Sequence, residues 1–194
     1  MVPGYEADAK LFAELVEIDA VLAAKVKAAG CPECEGRLDR ADFERKPRGD
    51  LGEVAQAYTK RTSFCCRRDG CRQRATPPSV RFLGRKVYVA LVVVVASIVG
   101  RELATKGEKL PRQVEGVPAR TVRRWLDWWS ITFALMEFWR EAKGLLASPV
   151  DEAMLPGSLL DRLGAPGGTT LTRLLRLIAP ITTTSVEAEI VMAV

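Results

Sequence analysis

The chain contains no histidine in 194 residues. That removes the side chain best suited to moving protons near neutral pH. It also removes imidazole as a metal ligand, so a site of thiolate or imidazole donors here has only cysteine to draw on. No glycine-rich phosphate loop leads into a helix. The acidic residues are scattered and form no pair able to divide acid and base work. With these elements missing, the expectation is a protein that is not an enzyme. Long apolar runs are scarce as well. Val87 to Gly100 is fourteen uncharged, mostly apolar residues, short of the roughly 20 that cross a bilayer. It is expected to be a buried core element with no membrane partner, and its valines leave helix and strand both open. The first residues lack the basic and apolar run of a secretory leader. A cytoplasmic location is therefore expected, and structural disulfides are not.

Five cysteines are present, and all lie between Cys31 and Cys71. Cys31-Pro32-Glu33-Cys34 is a CxxC turn, with Pro32 bending the chain and Gly36 relaxing it. Thirty residues on, Phe64-Cys65-Cys66-Arg67-Arg68-Asp69-Gly70-Cys71 offers a second turn at Asp69-Gly70. Two such pairs fold around one tetrahedral ion. Cys31, Cys34, Cys66 and Cys71 are the expected ligands of a structural zinc. Cys65 is the alternative to Cys66, because neighbouring residues of a strand face opposite ways. An odd cysteine number argues against disulfides. A redox role for the CxxC would need a βαβ pattern that the sequence does not show.

Charge is uneven along the chain. The net charge is +5, but residues 60–86 hold nine basic side chains and one acidic one, between acidic ends. Such a centre points to a polyanion. Arg67, Arg68, Arg72 and Arg74 are the expected phosphate contacts, with Arg45-Lys46-Pro47-Arg48-Gly49 a further basic loop and Arg81, Arg85 and Lys86 extending the charge. A solvated face without a partner is the plainer reading. Phe64 and Phe82 could stack on bases, but burial in a small domain is the expected role.

Ala7 to Ala28 reads as a helix, with Leu11, Leu15, Ile18 and Leu22 in a stripe and Gly30 ending it. Arg37 to Asp50 is polar and turn-rich, and Tyr58 to Cys65 reads as a strand. A helix beginning at Ser79 or Gly84 takes in the valine run to about Thr105. Leu110 to Leu126 then has the pattern of a helix-turn-helix. Gly116 makes the turn, Val117 plugs the junction and Pro118 opens the second helix. Val122, Trp125 and Leu126 share the packing face. Ala119, Arg120, Thr121, Arg123 and Arg124 form the expected recognition surface, within a helix over 118–130 that would enter a major groove. Pro111 and Arg112 depart from the usual first helix, and a plain helical hairpin is the alternative. The second helix is expected to continue to Lys143, with Trp125, Trp129, Thr132, Met136 and Trp139 as a packing seam and Trp128 off it as a partner surface. Gly144 to Pro156 reads as a hinge, Leu159 to Leu163 as a helical turn, and Leu171 to Ala179 as a last helix. Residues from Ile181 onward are expected to fray.

The fold expected is mainly α with a small β zinc ribbon and a helical helix-turn-helix core after it. The parts are an N-terminal helix (1–30), the four-cysteine ribbon (31–80), the helix-turn-helix domain (81–143) and a C-terminal helical extension (144–194).

Cys-Pro-Glu-Cys-Glu-Gly-Arg-Leu, Phe-Cys-Cys-Arg-Arg-Asp-Gly-Cys-Arg-Gln-Arg, Pro-Pro-Ser-Val-Arg-Phe-Leu-Gly-Arg-Lys-Val-Tyr and Gly-Val-Pro-Ala-Arg-Thr-Val-Arg-Arg-Trp together resemble small bacterial proteins encoded beside transposases, over Leu15 to Thr182. Cys31 to about Trp129 also resembles the zinc-ribbon plus helix-turn-helix half of insertion-sequence proteins. The first resemblance implies association with a mobile element and transposition, the second the four cysteines as ligands and Ala119 to Arg124 as recognition helix. The expected function is duplex DNA binding, for recognition of element ends or self-repression. A protein-interaction adaptor for a transposase and an RNA-binding ribbon are the alternatives, and a homodimer is a further partner weighed.

Overall fold

The computed structural model describes residues 8–48, 56–83, 88–165 and 167–187. The described residues are mainly helical, with small antiparallel sheets, so the mainly-α expectation holds at that level. It divides into two compact units. One is Asp8–Val89 together with the segment returning from Ile178, and the other is Ala90–Leu177.

The first unit opens with α1 (Ala9–Ala29). The Asp8 carboxylate accepts the Leu11 amide at 2.7 Å, which satisfies one of the free donors at the helix start. Leu11, Leu15 and Ile18 of the expected stripe are buried, and Leu22 is half-buried. Strands β1 (Leu38–Arg40) and β2 (Phe43–Glu44) follow. Then come a single helical turn, α2 (Gln56–Thr59), and β3 (Lys60–Arg61), β4 (Phe64–Cys66) and β5 (Arg74–Ala75). The expected strand over Tyr58 to Cys65 is thus a helical turn and two short strands. β4 lies between β1 and β5, both antiparallel to it, and β2 pairs with β3. Leu38 stands opposite Cys66 and Phe64 opposite Ala75. These four residues pack with Ala23 and Cys31 into one apolar cluster.

Asp19 is the polar exception on the buried side of α1. It accepts Ser79 Oγ at 2.5 Å, the Val80 amide at 2.7 Å and Arg81 Nε at 2.8 Å. Arg81 also donates to the carbonyls of Tyr58 and Lys60, at 2.7 and 3.0 Å, and its guanidinium lies 5.2 Å from the Phe82 ring centre. Arg61 is buried too and donates to the Pro77 carbonyl. Arg81 therefore does not extend a surface charge, and Phe82 is a core side chain. Arg85, Lys86, Gly49 and Gly84 lie outside the described residues. Of the C-terminal segment expected to fray, residues 188–194 lie outside the described residues, while the part before them is tied down. The Thr183 hydroxyl donates to the Thr76 carbonyl at 2.6 Å, and Ser185 Oγ accepts the Thr76 amide at 2.8 Å.

The second unit begins with α3 (Ala90–Thr105). It starts later than expected, and most of the valine run is buried in it. Among the described residues no helix is long and apolar enough to cross a membrane. Leu110 to Glu115, expected as a first helix, is not helical. β6 (Gln113–Val114) pairs antiparallel with β7 (Val117–Pro118). Glu115 and Gly116 have φ of 49° and 70°, the left-handed pair that matches the twist of a two-residue hairpin. Pro111 further disfavours a helix through this segment. Val114 and Val117 point inward, so the hairpin buries the apolar residues the helix would have used.

Helix α4 (Ala119–Asp127) follows directly and passes into a π-helical turn at Trp128–Phe133. Met136 is extended, and α5 (Glu137–Gly144) begins after it. The single long helix to Lys143 is thus interrupted. The wider turn shifts the inward positions, so Phe133 joins Trp129 and Trp139 in the seam while Thr132 faces water. The Phe133 ring centre lies 4.8 Å from Trp129 and 5.1 Å from Trp139. Trp128, expected off the seam, is half-buried with its ring 4.8 Å from Trp129. A 3-10 turn (Glu152–Met154), α6 (Gly157–Leu163) and α7 (Gly168–Ile178) complete the unit. Leu171, Leu174, Leu175 and Ile178 of α7 are buried as their spacing predicts.

Candidate metal centre

Two turns bring four sulfurs together. The first closes directly after α1: the Cys31 amide donates to the Gly36 carbonyl at 2.9 Å and the Glu35 amide to the Cys31 carbonyl at 2.8 Å. The second leaves β4 at Cys66 and returns at Cys71, whose amide donates to the Arg68 carbonyl at 3.2 Å. The sulfurs of Cys31, Cys34, Cys66 and Cys71 all lie within 4.8 Å of one another. Cys31 and Cys71 are 3.7 Å apart, and Cys34 and Cys66 are 3.5 Å apart. A tetrahedral ion with sulfur at about 2.3 Å would set neighbouring sulfurs about 3.8 Å apart. The cluster could hold a metal ion. Cys65 points to the other side of β4, where its thiol reaches the Arg72 carbonyl at 3.4 Å.

Backbone amides aim at the sulfurs. The Arg68 amide points at Cys66 Sγ from 3.4 Å. A methyl group on Gly36 would lie 3.2 Å from both Cys34 Sγ and Cys66 Sγ, so this glycine leaves room for the chain to run beside the cluster. Its amide draws the Cys34 thiol down to about 7 against the effect of burial. At Cys66 the Arg68 amide also pulls down, but burial and the neighbouring sulfurs outweigh it and push that thiol up to about 12. At Cys71 the Gln73 amide is outweighed in the same way, with Cys34 the first of the opposing influences. Four thiols this close cannot all ionise unaided. A cation among them would remove the conflict. The donor set, spacing and aimed amides therefore fit a thiophilic ion. The sequence carries the cysteines plainly, but of the amide donors only Gly36 leaves a trace.

The expected phosphate contacts fare unequally. Arg68 and Arg72 are exposed. Arg67 is exposed but lies 3.8 Å from the Asp39 carboxylate, which Arg37 also approaches at 3.7 Å. Arg74 is turned toward Ser63 Oγ and the Ala41 carbonyl, at 3.2 and 3.4 Å. In the other unit, Arg120, Arg123 and Arg124 of α4 are exposed, and Ala119 and Thr121 are half-buried. Val122, Trp125 and Leu126 of the same helix are buried. The Arg124 guanidinium leans 3.4 Å from Thr121 Oγ1.

The chain matches no protein-family model, no curated protein and no solved structure.

Proposed function

We propose that this chain is a zinc-stabilised, non-enzymatic protein that binds the duplex DNA of a mobile genetic element, at the element's ends or at its own promoter. The observation that carries the reading is the two-sided character of α4. Arg120, Arg123 and Arg124 stand in water, while Val122, Trp125 and Leu126 anchor the opposite side. A helix held by one face and arginine-rich on the other suits a major groove, where guanidinium groups can bond guanine edges or phosphates. A β-hairpin rather than a helix leads into it, so the strict helix-turn-helix form is set aside. Ribbon arginines Arg67, Arg68 and Arg72 would contact phosphates. Zinc is the ion of choice because four thiolates with no open position suit a structural tetrahedral site. Bound there, it would tie the two turns together and supply folding free energy. The link to a mobile element rests on the resemblance of the four sequence motifs.

A second reading, an adaptor for a transposase, is favoured by Ile131 and Leu135, which are 61% and 76% exposed. Anisotropy titration of labelled duplex DNA, with structured RNA as competitor, separates the readings. DNA binding predicts an affinity that falls steeply between about 50 and 200 mM salt and resists RNA competition. Absence of salt-dependent duplex binding overturns it.

A further inference from the structure

A groove of about 330 Å³ runs along α1 in the first unit. Its wall on the helix is Val16, Ala20, Ala23, Ala24 and Lys27, residues that recur at helical spacing on a side distinct from the leucine stripe. The alanines are small, and that leaves the hollow. The facing wall includes Arg40, Lys60, Thr62, Phe64 and Arg81. Four cationic side chains thus line the groove, and no carboxylate does.

The four cations are not equivalent. Arg81 is held by Asp19, and Arg40 by Asp42 at 2.6 Å. Lys27 and Lys60 are exposed, and neither has an ion pair among the described residues. They sit on opposite walls, one in the last turn of α1 and the other in β3. A concave surface with small apolar side chains on its floor and two free ammonium groups at its rim matches an anion that carries apolar bulk. Its size lies at the lower end of ligand sites.

We propose that this groove seats the sugar–phosphate ridge of the bound DNA strand, with phosphates on Lys27 and Lys60 and the sugar against the alanines. This rests on the DNA-binding reading and deepens it. The first unit then has phosphate contacts on α1 and β3 in addition to those of the arginine-rich turn near Cys71. They track the backbone and carry no base preference.

The test is the salt dependence of duplex binding by the full zinc-loaded chain and its Lys27→Ala/Lys60→Ala variant. Each lost phosphate contact flattens the slope of log K against log salt by about 0.9. The double variant is expected to lose about 1.8 from the slope, with base preference unchanged. A folded double variant with the parental slope overturns the groove and leaves DNA binding by α4 standing. An unmodified chain with no salt-dependent binding overturns both. Lysine labelling of the unmodified chain gives a reading that needs no variant. DNA is expected to protect Lys27 and Lys60, and equal labelling of both with and without DNA overturns the proposal.

Discussion

Arg81 and Asp19 form an ion pair at 2.8 Å in which the two side chains are only 3% and 2% exposed. The pair ties α1 to the segment Ser79–Arg81, and through Arg81 to the carbonyls of Tyr58 and Lys60. Removing one partner would leave the other charged and buried. Asp19→Ala is expected to cost roughly 3–5 kcal/mol. Asp19→Asn should cost less, because its amide oxygen can still accept. Urea denaturation at saturating zinc measures this, and a loss under about 1 kcal/mol for Asp19→Ala would match an exposed pair, not the buried one described.

The sulfur cluster makes a prediction about which cysteine can be spared. Purified protein is expected to hold one zinc per chain. Cys71→Ser and Cys66→Ser should each lower the zinc content, while Cys65→Ser should retain it. Gly36→Ala is expected to weaken zinc binding without removing a ligand, since its new methyl group would crowd two sulfurs. Metal analysis alongside circular dichroism after chelation reads all four. Equal zinc loss from Cys65→Ser and Cys66→Ser would refute the assignment of the ligand set.

Arginines of α4 and of the ribbon should differ in what they contribute to binding. Arg120→Ala is expected to cost roughly 1–3 kcal/mol and to relax base preference at one position. Arg72→Ala should weaken all sequences alike and flatten the salt slope by about 0.9. Selection of bound sequences from a random duplex pool, repeated for each variant, distinguishes these roles. An unaltered preference in Arg120→Ala would remove that residue from base recognition.

Gly100 marks the point where α3 receives α4. A methyl group built there would approach Val122 Cγ1 to 2.6 Å. Alanine is the better helix former by about 1 kcal/mol, but overpacking costs about 1–3 kcal/mol, and this contact is well inside van der Waals distance. Gly100→Ala is therefore expected to destabilise the protein. Val122→Ala removes the opposing methyl groups, so it should partly rescue Gly100→Ala. Thermal melts of the single and double variants form the cycle. Strict additivity would show that the two residues do not press on each other.

Local chemistry made several features legible in the sequence. The paired cysteine turns announced a thiolate cluster because few other arrangements use that spacing; strand alternation allowed only one of Cys65 and Cys66 to face it, and the fold decided for Cys66. The leucine stripes of α1 and α7 followed from helical period. The arginines of α4 were placed on its outer side by the spacing of Val122, Trp125 and Leu126.

Tertiary structure decided the rest. Burial is not local, so nothing near Arg81 in the chain foretold Asp19, 62 residues away. Two of the basic residues counted toward a surface patch, Arg61 and Arg81, turned out to be core groups for that reason. The hairpin at Val114–Val117 prevailed over the expected helix through a left-handed pair at Glu115–Gly116 and the inward packing of both valines. The π-helical turn moved Phe133 into the tryptophan seam, a shift of register that a regular 3.6-residue period does not anticipate. Spacing along the chain records which side of an element a residue faces; only the folded partners determine whether that side meets water, a neighbouring helix or an opposite charge.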